Sequence, residues 1–149
     1  MRVDTKAYGV IDIDERQRIQ FPYGILGFEK LTSYVLLDAP QQPFYWLQAL
    51  DLVEVAFVLI NPVIFRPDYT VEVLEEELEE IGIDSPEKML TFAIVTIPQN
   101  PVEMTANLQG PIIINKDTRI GRQCISMNPK WEVRHPVLKE LAAVRQEPC

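Results

Sequence analysis

The chain is short of the residues that build catalytic and metal centres. It has one histidine, His135, and two cysteines, Cys124 and Cys149, in 149 residues. Two cysteines, one of them the last residue, make no disulfide framework, and the reading is two free thiols in a reducing compartment. A lone histidine makes no two-histidine zinc site, so His135 reads as an exposed or hydrogen-bonded side chain. Glycine is scarce, at six. Gly24 and Gly27 have neither the spacing of GxGxxG nor a following GK[ST], which excludes a phosphate loop. Ser33, Ser85 and Ser126 lie in no GxSxG elbow. Asp12, Asp14 and Glu15 open like a calcium loop. However, Arg16, Gln17 and Tyr23 stand where an oxygen ligand, a glycine and a glutamate are needed. No apolar run approaches the roughly 20 residues of a membrane helix. Met1 to Lys6 lacks the apolar stretch of a signal peptide. No Asn-x-Ser/Thr glycosylation site occurs. These absences predict a soluble, cytoplasmic protein with no metal and no cofactor, and favour a binding role over catalysis.

Basic residues are also in deficit, 14 against 22 acidic, for a net charge of −8. The deficit is local. Residues 68–88 hold nine acids (Asp68, Glu72, Glu75, Glu76, Glu77, Glu79, Glu80, Asp84 and Glu87) and one base, Lys88, which is the whole −8. A neutral body with one anionic face repels phosphate and predicts no direct nucleic-acid binding. It suits a basic partner, or it is a solvated face that aids solubility.

What is present in quantity is hydrophobic residue, 47%, and proline, at twelve. Length and composition fit one globular domain, 1–149, with its own core. Proline marks boundaries, because it lacks a backbone donor. Between the prolines lie short apolar or alternating runs: 2–8, 10–13, 19–21, 34–37, 44–50, 55–60, 90–97, 112–114 and 124–127. This pattern predicts a mainly antiparallel β protein. The continuous runs 55–60 and 90–97 read as strands covered on both sides.

One segment has helical spacing. Val71, Leu74, Leu78 and Ile81 fall on one stripe, with Gly82 as a stop, so an acidic helix is predicted over about 71–82. Glu72, Glu75, Glu76, Glu79 and Glu80 lie off the stripe, free to meet a partner, with Glu77 less available. Ser85-Pro86 predicts a second short turn. Pro136 to Gln146 is a candidate small helix within the tail, 136–149.

Five stretches, read together, carry a resemblance. They are Phe21-Pro22-Tyr23-Gly24-Ile25-Leu26-Gly27-Phe28-Glu29, Phe44-Tyr45-Trp46-Leu47-Gln48, Ala56-Phe57-Val58-Leu59-Ile60-Asn61-Pro62, Thr105-Ala106-Asn107-Leu108-Gln109-Gly110-Pro111-Ile112, and Gly121-Arg122-Gln123. In this order and spacing the sequence resembles the FliW family of bacterial flagellar assembly factors, from Met1 to about His135. Gly110 stands where the family often has alanine, and the tail beyond Pro136 matches poorly. The resemblance implies a compact antiparallel β-barrel-like single domain with one or two short helices, and no enzymatic activity. It implies two protein partners: flagellin, and CsrA, a small dimeric repressor of flagellin translation. FliW would weaken the RNA binding of CsrA allosterically, and flagellin would occupy FliW until export frees it. A monomer is expected when the protein is free.

The residues add detail to that expectation. Gly24 and Gly27 suit a positive-φ turn that presents Phe28 and Glu29 at a barrel rim. Alternatively, Phe21 and Phe28 are core residues and the glycines structural. Asn107 is a candidate contact, or else satisfies turn backbone before a strand that starts after Pro111. The candidate partner-binding set is therefore Glu72, Glu75, Glu76, Glu79, Glu80, Phe28, Glu29 and Asn107. The alternative function class is a small-molecule-binding or hydrolytic β-barrel with carboxylates lining its mouth.

Overall fold

A computed structural model describes residues 1–146. Residues 147–149, with the second thiol Cys149, lie outside the described residues.

The elements are short, and eleven strands dominate. β1 (Arg2–Thr5) and β2 (Gly9–Asp12) form a separate hairpin, with Arg2 opposite Asp12 and Thr5 opposite Gly9. β3 (Arg18–Gln20), β4 (Ser33–Asp38), β5 (Tyr45–Ala49), β6 (Ala56–Ile60), β7 (Met89–Thr96), β8 (Thr105–Ala106), β9 (Ile112–Asn115), β10 (Gly121–Gln123) and β11 (His135–Pro136) form the larger sheet. Its path runs β10-β9-β7-β6-β5-β4-β3, with every neighbour antiparallel. β8 pairs with β7 on the edge opposite β6, in line with β9, and β11 pairs with β8.

The sheet is barrel-like without being closed by a ladder. Its two ends approach at one parallel bridge, Gln20 with Ile120, where the Gln20 amide donates to the Arg119 carbonyl at 3.0 Å. Gly121 sits at this seam because Phe21 fills the space. A Cβ there would stand 2.8 Å from the Phe21 ring.

Alternation along the central strands feeds both faces. Leu59, Phe92, Ile112 and Ile114 join the inner core with Ile19, Phe21 and Tyr34. Ile60, Ala93 and Val95 turn to the other face, under Phe65, Tyr69, Trp131 and Val137. The continuous apolar runs at 55–60 and 90–97 are thus strands covered on both sides, as expected.

The acidic helix is corrected by the structure. Regular α-helix is confined to α1, Glu75–Glu79, and does not extend over 71–82. Residues 71–73 are not helical, with Val73 buried, and the Glu72 carbonyl accepts from the Met127 amide at 2.6 Å. Leu74, on the predicted stripe, is the N-cap and 48% exposed. A run of adjacent glutamates repels itself and forms little helix alone. The single turn exists because Ile81 is buried and Leu78 half-buried over Ile113 and Cys124. The Leu78 carbonyl then accepts from Ile83, closing the helix around Gly82 at φ 73°.

The run 124–127 is also not a strand. The strand lies just before it, at β10, and 124–127 makes single hydrogen bonds to Pro111, Gln109 and Glu72 in turn. The second turn over Pro86–Lys88 forms as predicted. The C-terminal helix, α2 (Val137–Gln146), is also present. His135 secures it. Its Nε2 accepts from the Glu132 amide at 2.8 Å, so Nδ1 is the donor to Glu140 Oε1 at 2.9 Å. Glu140 also meets Arg66 at 3.1 Å.

Candidate protein-interaction surface

Two of the stretches singled out in the sequence fold onto each other, and β10 joins them. The turn after Phe21 depends on Gly24, at φ 67°. A Cβ there would lie 2.4 Å from Glu29 Cα. The Glu29 carboxylate accepts from the Gly27 amide at 2.7 Å, so it closes the turn from within. The turn leaves Tyr23 and Leu26 exposed, Leu26 at 78%. Phe28 divides its surface: it is 39% exposed, and its ring meets Phe57 edge-on at 5.2 Å. Phe21 is fully buried against Tyr34.

Each β10 residue holds a different neighbour. Gly121 admits Phe21. Gln123 Oε1 accepts from the Leu26 amide at 2.9 Å, and its Nε2 donates to the Gly110 carbonyl at 3.1 Å. Arg122 lies over the Tyr23 ring, 4.6 Å from its centroid. It also pairs with Glu77, at 3.5 Å, and with Glu80. Arg122 therefore ties the aromatic turn to the acidic helix. Asn107 Oδ1 accepts from the Gln109 and Gly110 amides at 3.0 and 2.9 Å, an Asx turn leading to the β9 strand.

The charge of 68–88 is partly answered by cations brought from elsewhere in the chain. Asp68 meets Arg66 and Lys130 at 2.9 and 2.6 Å. The Arg66 hydrogen bond, then that of Lys130, holds its carboxyl well below the usual range. Glu72 accepts from Asn128 and Thr70. Glu77 is buried and, with Glu80, engages Arg122. Of the predicted contact glutamates, Glu72, Glu75, Glu76 and Glu79 remain exposed with no cation partner among the described residues, and the last three also have no side-chain hydrogen bond there. Cys124 lies beneath, and burial pushes its thiol up to about 12, as befits a core thiol.

Sequence reasoning missed Arg122, Gln123, Tyr23 and Leu26 as members of this surface. The Gly121-Arg122-Gln123 stretch carried part of the resemblance. Its contacts span up to about 100 residues of sequence and have no local signal.

The structure defines a mainly β domain with a surface of exposed apolar, aromatic and acidic side chains. A family model described as FliW protein matches residues 2–138. The chain is 43% identical over 143 residues to the flagellar assembly factor FliW of Treponema denticola, covering 96% of this chain and 97% of that one. It is 39% identical over 150 residues to the same factor of Treponema pallidum, covering 100% of both. A crystal structure of the flagellar assembly factor FliW superposes with TM-score 0.83 at 33% identity, covering 92% of this chain and 96% of that chain. The chain belongs to the FliW family of flagellar assembly factors, a role that implies protein partners. No helix among the described residues is long and apolar enough to cross a membrane.

Proposed function

We propose that this protein is a cytoplasmic, monomeric regulator that binds the translational repressor CsrA and weakens its RNA binding allosterically. It binds cytoplasmic flagellin in exchange, so that flagellin export releases it to act on CsrA. The protein works by binding and not by catalysis. The observation that carries this reading is the surface that runs from the exposed Tyr23 and Leu26 through Arg122 to α1, where Glu75, Glu76 and Glu79 are exposed with no cation partner among the described residues. Such a surface complements the basic face that an RNA-binding repressor carries. Phe28, Glu29 and Asn107 shape that surface, and Glu72 and Glu80 frame its acidic side.

The test is a titration of the protein, CsrA and a flagellin leader RNA. The protein alone should leave the RNA free at physiological salt. Added to CsrA, it should lower RNA affinity even at saturating RNA, because allosteric coupling persists where competition fades. Flagellin should reverse the effect. Coupling of about 1.4 kcal/mol between the partners would weaken each tenfold, equally in both directions. A ternary complex with undiminished affinity for both partners refutes the exchange.

A further inference from the structure

Beside α1 the surface forms a groove of about 360 Å³. Val71, Leu78 and Met89 line it half-buried, and Ile83 is buried in it. One lip carries Glu75 and Glu79, a helical turn apart, both exposed and without a cation partner among the described residues. The other lip carries Asp84, 3.2 Å from Lys88 Nζ. Every charged group that lines the groove is therefore a carboxylate. Among the described residues no three carboxylate, histidine or cysteine groups converge as metal ligands. An apolar floor under separated carboxylates suits a cation that is broad and carried on a hydrocarbon stem. An arginine side chain has both properties. Its methylenes cover apolar surface, and its planar fork engages carboxylates with two donors at once.

We infer that this groove receives an arginine side chain from a basic segment of a protein partner. The choice of partner, the CsrA-type repressor, rests on the function proposed above; the groove chemistry does not. Two measurements separate these. In the first, calorimetric titration of the repressor compares the Glu75→Gln/Glu79→Gln variant with a Glu87→Gln/Glu103→Gln control. Both remove the same charge from exposed positions, but only the first lies in the groove. The groove variant should bind at least tenfold more weakly, and the control within threefold of the parent. Equal weakening by both, or by neither, overturns the inference while the proposed function stands. In the second, amide resonances are followed as an alanine peptide with a central arginine is added. Shifts should concentrate at Glu75, Leu78, Glu79 and Ile83, vanish in the groove variant, and be absent with norleucine in place of arginine. Failure to bind the repressor overturns the proposed function. Absence of localised peptide shifts overturns the arginine groove whatever the repressor does.

Discussion

Replacing Arg122 by alanine tests whether the node between turn and helix is structural as well as a surface feature. The side chain is 23% exposed and Glu77 10%, at 3.5 Å. Removing one partner of a fully buried pair costs about 3 to 5 kcal/mol, because the other charge is left desolvated. Here the pair is only partly buried, so about half of that applies. Glu80, at 43% exposure, adds little, since exposed pairs contribute about 0 to 1 kcal/mol. Loss of the Tyr23 contact adds about 0.5 kcal/mol. The expected loss is about 2 kcal/mol. With a urea slope of about 2 kcal/mol per molar, the midpoint should fall by about 1 M. The penalty comes from the stranded Glu77 carboxylate, so Glu77→Gln in the same chain should recover about half of it. A loss below about 0.5 kcal/mol, or a double variant less stable than Arg122→Ala alone, refutes the reasoning.

Reversing Glu75, Glu76 and Glu79 to lysine moves the 68–88 segment from −8 to −2; circular dichroism should show a folded protein. CsrA binding should be mostly lost, with a flatter salt dependence, and flagellin binding should suffer less. Gly24→Ala forces a positive φ on a residue whose Cβ meets Glu29 backbone, whereas Gly27→Ala, at φ 88°, meets open space. The left-handed conformation alone costs about 1 to 2 kcal/mol. Thermal melts should therefore place Gly27→Ala a few degrees below the parent and Gly24→Ala clearly lower still. Cys124 in the fold holds its proton to about 12, against an ordinary 9.0, through burial. The folded state binds that proton more tightly, so stability is full below about pH 9 and declines as pH rises from there towards 12. Denaturation midpoints at neutral pH and at pH 10.5 should differ less in Cys124→Ala than in the parent; an equal decline would exclude the thiol as the cause.

Local pattern was enough to read the β class, the two-sided central strands and the C-terminal helix. Apolar alternation, proline boundaries and continuous runs at 55–60 and 90–97 are properties of neighbouring residues, and strand burial follows from them directly. The positive-φ turn at Gly24 was legible for the same reason. The acidic segment shows where local pattern stops. Its glutamates and its apolar spacing both lie in the sequence. But the spacing of Val71 and Leu74 suggested a helix, and the hydrogen bond between residues 72 and 127 holds that stretch in non-helical chain instead. Which carboxylates stay unanswered was also decided in three dimensions, since Arg66, Arg122 and Lys130 reach the segment only through folding. Arg122 is unremarkable as one basic residue in a short strand. Its role arises because the folded sheet brings residues 23, 77, 80 and 122 to one place. Charge number is additive along a chain, whereas charge pairing depends on distances that only the assembled sheet sets.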